Sequence, residues 1–288
     1  MLQAPAACQD LTFPHYRSFL TLAGGPHVCA RVLQTPDGPK GLCLGLRNTD
    51  GDGGQIASLY VAPEFRNQGW GARLIAPVEE DLKSRGAVEL GIVYASGPSA
   101  PALEALLRRA GWGEPQRRTR LGFFRSTVLL AADWVQRAKL AEGFSLFTWR
   151  DLPKEERAWI LSHVDQPGWH RAALTPFAED EKCESQISVG LRYRGEIAGW
   201  LVLHRVIAGS IRCTTIFVRE DLRRYAPHVA MTAESLRRHV ASPIALSHPS
   251  VGFIQPLSDP GVSRFFERRL SPYVDSIKET RACWKKIG

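Results

Sequence analysis

The sequence predicts a mixed α/β protein made of two tandem copies of one sheet-and-helix unit. Three observations carry that prediction. Strand pairs joined by tight turns alternate with amphipathic helices, a mixed α/β pattern with an antiparallel start. The same order of elements returns in the second half, at a spacing near 157 residues. The stretches SLYVAPEFRNQGWGARL and TIFVREDLRRYAPHVAM hold matching places in the two halves. A length of 288 residues suits two domains of about 100–200 residues each.

In the first half, a helix is expected from Leu11 to Leu22, ended by Gly24-Gly25-Pro26, which cannot continue a helix. His27 to Gln34 alternates apolar and polar residues and reads as a strand. Thr35-Pro36-Asp37-Gly38 is a turn, because proline fixes one φ and glycine permits a positive one. Leu42 to Leu46 is the returning strand of that hairpin, and Gln55 to Val61 is the next strand. Gly71 to Arg85 reads as a helix with Leu74, Ile75, Val78 and Leu82 in one stripe. Glu79, Glu80, Asp81 and Lys83 are expected to face away, and Pro77 to bend the helix or mark a late start. Val88 to Tyr94 is a strand, Ala102 to Arg109 a helix after Ser99 or Pro101, and Arg120 to Thr127 a strand.

Asp133 to Glu142 reads as a helical linker ending at Gly143. The second half then offers a strand at Phe144 to Trp149 and a helix at Lys154 to His163. A hairpin follows, from Gln186 to Tyr193 and Ile197 to Val206, turning at Arg194-Gly195. Thr214 to Val218 is a strand, Pro227 to His239 a helix and Ile244 to Leu246 a short strand. Val262 to Arg269 is a helix and Ile277 to Trp284 a last strand. The expected division is 1–130, a linker helix over 131–142, and 143–288.

Composition excludes several classes. Hydrophobic residues make up 44% and charged residues 23%, ordinary globular values. No stretch approaches the roughly 20 apolar residues of a membrane span, and Met1 to Asp10 lacks the pattern of a secretory signal. The expectation is a cytoplasmic protein with no membrane partner. Its six cysteines form no CxxC pair and are expected to be reduced and mostly buried. The eight histidines show no HxxxH or HxH spacing, so no metal site is expected. The net charge of +8 is spread over both halves rather than gathered in one arm, which argues against a nucleic-acid partner.

The junction from Val61 through Ala62-Pro63-Glu64-Phe65-Arg66-Asn67-Gln68-Gly69-Trp70 to Gly71 carries the chemistry. It ends a strand, contains R-x-x-G-x-G and opens a helix. Such a junction turns successive N–H groups toward a ligand at the positive end of the helix dipole, which suits phosphate. Glycine lets the backbone approach a bulky anion, and Arg66 adds charge. As a bare pattern it also fits an ordinary β-to-α turn. It is neither the dinucleotide fingerprint, whose acidic residue is replaced by Tyr94-Ala95-Ser96, nor the P-loop, since no Gly-Lys-Ser/Thr follows.

The stretch LYVAPEFRNQGWGARLI resembles the acyl-CoA-binding motif of the GCN5-related N-acetyltransferase (GNAT) superfamily, a strand ending V-x-P followed by R-x-x-G-x-G. ALEALLRRAGW is similar to its next motif, a helix running into Gly-Phe or Gly-Trp, and the strand VELGIVY stands between them. The resemblance covers residues 27–127. It implies tandem domains, each with a mostly antiparallel central sheet, a splayed βαβ core and flanking helices. It implies acetyl-CoA as co-substrate, with direct acyl transfer to the primary amine of a small molecule. The open alternatives are a protein or peptide N-acetyltransferase and a non-catalytic acyl-CoA-binding module.

The resemblance also implies roles. The backbone of Leu59, Tyr60 and Val61 would pair with the pantetheine arm. The amides of Asn67, Gln68, Gly69, Trp70, Gly71 and Ala72, with Arg66, would hold the pyrophosphate. The Val61 N–H would donate to the thioester carbonyl, and Ser99 stands where the family often has an asparagine touching pantetheine. An ammonium of pKa about 10.4 must lose its proton before attack. Tyr60, Glu64 and Tyr94 are the nearest polar candidates, although the tyrosines also suit packing in the sheet and Glu64 a solvated turn. Many relatives carry a tyrosine four residues before the Gly-Phe to protonate the leaving thiolate. This chain has Leu107 there, so Tyr94 or Ser96 serves instead, or the thiolate leaves to water.

In the second half, Arg223 falls on Arg66, Ala226 on Gly69 and His228 on Gly71, while Pro227 removes a backbone donor. Residues 143–288 therefore read as a degenerate copy that kept the fold and lost the cradle. The family also begins with a strand ahead of its first helix. Met1 to Asp10 is too short and proline-broken for one, so Thr280 to Trp284 is expected to supply it.

Overall fold

The structure, a computed structural model, describes residues 6–13, 16–49 and 51–288. Its strands are β1 (Val28–Thr35), β2 (Gly38–Arg47), β3 (Gly53–Val61), β4 (Glu89–Ala95), β5 (Gln116–Arg125), β6 (Phe144–Thr148), β7 (Val189–Tyr193), β8 (Glu196–Ile207), β9 (Ser210–Val218), β10 (Ser250–Pro256) and β11 (Ser276–Lys286). Its helices are α1 (Arg17–Leu20), α2 (Trp70–Ser84), α3 (Ala100–Arg109), α4 (Ser126–Leu130), α5 (Asp133–Gln136), α6 (Lys154–Ser162), α7 (Pro227–Ala241), α8 (Ile244–Ser247) and α9 (Pro260–Phe265).

The chain forms two compact units: unit 1 is Met1–Arg118 with Glu279–Gly288, and unit 2 is Thr119–Lys278. The division read from the sequence, at 130 and 142, counts along the chain. The boundaries of the compact units fall instead within β5 and within β11, so that residues 279–288 belong to unit 1.

In unit 1 the strand order is β1-β2-β3-β4-β11. β1 to β3 are antiparallel neighbours, β3 and β4 run parallel, and β11 lies antiparallel to β4 from Thr280↔Ala95 to Lys286↔Glu89. The C-terminal segment thus joins this sheet beside β4, not at the β1 edge where a missing first strand would stand. The reason is chemical fit. Cys283 is fully buried beside Ile92, and Lys285 reaches the carboxylate of Glu79 at 2.5 Å.

Helix α2 buries Leu74, Ile75, Val78 and Leu82 against the sheet, each worth about 1.5–3 kcal/mol. It runs through Pro77 without stopping. Glu79 is a correction: it is buried, 7% exposed, with its carboxylate between the Trp112 indole N–H at 2.6 Å and Lys285. The opposite face of the sheet carries Val28, Ala30, Leu42, Leu44, Leu46 and Ala57, packed by Cys8 and Leu20. A single helix over Leu11 to Leu22 is replaced by a 3-10 turn (Ala6–Leu11) and the four-residue α1. Pro14 and His15, inside that expected helix, and the first five residues lie outside the described ones.

Unit 2 has the order β5-β10-β9-β8-β7-β6. Its core runs from Phe124 and Leu129 through Leu201, Leu203, Met231, Leu236 and Phe253 to Leu270. The expected linker helix over Asp133 to Glu142 ends at Gln136. Trp134 and Val135 are sunk in this core, the turn closes with the Ala138 N–H on the Val135 carbonyl at 3.2 Å, and Ala138 and Leu140 pack along the core beyond it. Ile244 to Leu246, expected as a strand, is helical, and the strand lies at β10, where Val251 and Phe253 are buried.

Two pairs of elements recur at one offset. β3 and β9 have nine residues each, and α2 and α7 fifteen each, with every bound displaced by 157. Among the described residues no helix is long and apolar enough to cross a membrane.

Candidate active site

The parallel β3–β4 ladder pairs Gly53–Ile56 with Glu89–Ile92 and goes no further. Beyond it, Ser58–Val61 keep β2 on one side and, among the described residues, pair with no strand on the other. The register decides which backbone groups face the opening. Ala62 N–H donates to the Lys40 carbonyl at 2.8 Å, and Val61 lies opposite Gly41. In an antiparallel ladder bonded and non-bonded pairs alternate. Val61 and Leu59 are therefore non-bonded positions, with N–H groups pointing away from β2 into the opening. Tyr60 is a bonded position whose N–H and C=O are spent on Leu42, so of the three residues expected to meet pantetheine, it does not present its backbone.

The connector follows directly. Pro63–Phe65 make a 3-10 turn, Asn67 has φ +60° and Gly69 φ +81°. The first bond of α2 is Arg73 N–H to the Gly69 carbonyl at 3.2 Å. Among the described residues, the N–H groups of Asn67, Gln68, Gly69, Trp70, Gly71 and Ala72 donate to no backbone carbonyl ahead of them. They line the positive end of a 15-residue helix. The two glycines serve different ends. A Cβ at Gly69 would meet nothing within 4 Å, so the space before it is open. A Cβ at Gly71 would collide with Leu106 Cδ1 of α3, so that glycine seats one helix on another.

Arg66 is exposed, and its Nε donates to the Val61 carbonyl at 2.9 Å. That bond fixes the end of β3 and leaves the Val61 N–H facing the opening. Arg73, which the sequence reading missed, stacks over Trp70 with its guanidinium 4.8 Å from the ring centroid. Its signal was an arginine one turn into a helix that opens on a phosphate-type turn. Glu64 is exposed, with its carboxylate 3.7 Å from Lys40.

The side chains of Leu59, Val61 and Tyr94 pack on the α2 and α3 face, beside Trp70, Leu103 and Leu106. Tyr60 alternates with its neighbours and stands on the opposite face. The Tyr94 hydroxyl donates to Glu104 Oε1 at 3.0 Å and lies 3.6 Å from Cys283 Sγ. Burial first, then these two neighbours, push its phenol well above its ordinary value, so it holds its proton. Leu107 is 1% exposed in the core and offers no polar atom. Ser99 is exposed at the start of α3 and makes no side-chain cap. The Ser96 hydroxyl oxygen is buried without a partner.

Unit 2 repeats the frame and not the cradle. The β9–β10 ladder stops at Cys213↔Phe253, and Arg223 Nε donates to the Val218 carbonyl at 3.0 Å. Ala226 takes the left-handed turn at φ +50°, Pro227 is the buried first residue of α7, and His228 packs edge-on to Phe265. Proline supplies no N–H, and side chains stand at both glycine positions.

Residues 5–112 match the family model described as Acetyltransferase (GNAT) family. No curated protein matches the chain in sequence. Among solved structures, the chain is similar to a tandem GNAT protein from the clavulanic acid biosynthesis pathway, solved without acetyl-CoA. The identity is 16% and the TM-score 0.68, covering 94% of this chain and 87% of that one. It is similar to a GCN5-related N-acetyltransferase from Sphaerobacter thermophilus at 17% identity and TM-score 0.61, covering 99% and 94%. It is also similar to a GCN5-related glucosamine N-acetyltransferase region of a fungal multi-domain β-N-acetylglucosaminidase, at 14% and 0.63, covering 97% and 36%. Residues 5–112 thus carry the signature of the GNAT family, and the chain has the fold of tandem GNAT proteins.

Proposed function

We propose that unit 1 is an N-acyltransferase that moves an acetyl group from acetyl-CoA to the primary amine of a small molecule. The observation that carries this reading is the continuity of two backbone features. The unspent N–H groups from Asn67 to Ala72 run directly into the open β3 edge that presents the Val61 and Leu59 N–H groups. The first suits a pyrophosphate, and the second an extended amide chain ending in a thioester.

In this reading Val61 N–H donates to the thioester oxygen as charge develops there, with Arg66 holding the other end of that residue. Leu59 N–H faces the same opening and serves the pantetheine arm. Arg66 and Arg73 flank the diphosphate with positive charge, and Ser99 extends the contact to the start of α3. Tyr60, on the opposite face of β3, is a candidate for accepting the amine proton through water. Glu64, beside Lys40, is a more distant one. Cys8, Cys29, Cys43, Cys183, Cys213 and Cys283 are all free, which suits a reducing, cytoplasmic compartment.

A non-catalytic acyl-CoA-binding module is the second reading, favoured by Leu107 standing where a phenol would serve the leaving group. Calorimetry with acetyl-CoA on the wild type and Gly69→Glu tests the cradle. Binding by the wild type and at least a tenfold loss in the variant is the expected result. Thiol release in the presence of a panel of small amines then separates enzyme from module. Absence of acetyl-CoA binding by the wild type overturns both readings.

A further inference from the structure

Leu107 leaves the second motif without a hydroxyl, but the same face of α3 is not empty one turn earlier. Glu104 stands there, and two groups converge on one of its oxygens. Tyr94 donates to Oε1 at 3.0 Å from β4, and Arg281 Nη1 donates to the same atom at 2.9 Å from β11. Tyr94 lies two residues past Ile92, the last residue of β4 paired with β3. Its backbone therefore lies where the two strands part, and its ring packs on the face that carries Leu59, Val61 and Trp70, with the hydroxyl turned toward α3 and β11.

We propose that Glu104 and Arg281 are positioning residues that hold the Tyr94 hydroxyl beside the sulfur of a bound thioester, so that Tyr94 gives the departing thiolate the hydrogen bond that residue 107 cannot. This rests on the acyl-CoA reading above. The shared oxygen is the reason for assigning a role to the pair. A phenol hydroxyl turns within the ring plane between two directions. When it turns from Glu104 to the sulfur, Arg281 remains on Oε1, and the half-buried carboxylate is not left bare. Burial and the carboxylate keep the phenol protonated, so it acts as a donor throughout.

The balance closes without further reagents. The amine nitrogen forms its bond to the acyl carbon, and the carbon–sulfur bond breaks with its electron pair on sulfur. The amine proton passes to water. A coenzyme A thiol, with a pKa of about 8.5 for its class, is a weaker base as thiolate than a phenolate. The sulfur therefore leaves as a hydrogen-bonded thiolate while Tyr94 keeps its proton.

The test titrates the thiol of CoA bound to the full chain, by its ultraviolet thiolate absorbance, and needs no acceptor. The bound thiol of the wild type is expected to ionise about one pKa unit lower than in Tyr94→Phe, which lacks a single oxygen. Glu104→Gln should lose part of that difference, and Arg281→Lys should retain most of it. Desulfo-CoA should bind the wild type and Tyr94→Phe equally. Equal thiol titration in wild type and Tyr94→Phe, with CoA bound to both, overturns the assignment while leaving the acyl-CoA site standing. Failure of the wild type to bind CoA at all sinks that site, and the assignment with it.

Discussion

Arg66 Nε donates to the carbonyl of Val61 at 2.9 Å, tying the residue after the 3-10 turn back to the last residue of the strand. Arg223 makes the same bond to Val218 at 3.0 Å in the unit whose cradle is filled. The bond is thus part of the frame, and in unit 1 it also aims the free N–H of Val61. Arg66→Ala should weaken acetyl-CoA binding by roughly tenfold, the size of one lost charge-assisted hydrogen bond. Arg66→Lys should recover less than half of that, since lysine lacks the planar fork. Calorimetry measures both, and an unchanged affinity in Arg66→Ala would contradict the role.

The two cradle glycines should respond differently. Gly69→Ala puts a side chain at φ +81° in open space, costing about 1–2 kcal/mol of backbone strain with little repacking. Gly71→Ala drives a methyl into Leu106, costing about 1–3 kcal/mol. Adding Leu106→Ala should recover stability in the Gly71 variant and not in the Gly69 variant. Denaturant unfolding of the double-mutant cycle reads the difference.

Glu79 and Lys285 form a mostly buried pair, with side chains 9% and 21% exposed, and Trp112 completes the carboxylate's bonding. Lys285→Met strands the carboxylate and should destabilise unit 1 by about 3–5 kcal/mol. Replacing Glu79 by Gln at the same time should return part of that loss, because no buried charge is left unpaired. A double variant as unstable as the single one would show that the lysine acts by packing alone.

Acid should weaken unit 2. His170, His204, His228 and His239 all lie in it, and burial lowers the pKa of each below the ordinary 6.5. Both ring nitrogens of His170 are buried without a partner, its ring set edge-on to Trp200 at 4.7 Å. A histidine with a depressed folded pKa binds its proton more readily when unfolded. Stability is therefore full above pH 6.5 and falls as the pH drops through 6.5 toward the lower folded values. Urea midpoints followed by tryptophan fluorescence should decline between pH 7.5 and 5.5, each pH chosen to straddle about 6.5. His170→Phe should flatten the decline, and a midpoint unaffected by pH would rule the mechanism out.

Much of this was legible in the residues. The R-x-x-G-x-G junction sits between β3 and α2 as its pattern requires, and the 157-residue offset reproduces the bounds of β3 and α2 in β9 and α7. What the chain hid is what depends on distant partners. Glu79 reads as solvent-facing because its helix neighbours are charged, and only Trp112 and Lys285, far along the chain, make it a buried anion. The parity that turns Val61 and Leu59 toward the opening, and Tyr60 away, comes from pairing with β2 and cannot be seen in β3 alone. The contacts of Glu104 likewise depend on β4 and β11, which bring Tyr94 and Arg281 to it.

The place of β11 on β4 sets an order of events during synthesis. The ribosome releases β1 to β4 early, yet the strand that covers β4 and neutralises Glu79 emerges only after Thr119–Lys278 have been made. At about 5–20 residues per second, that interval is on the order of ten seconds or more. For that time nascent unit 1 exposes an unpaired strand beside an uncompensated carboxylate, an edge that a chaperone can cover until β11 has been made.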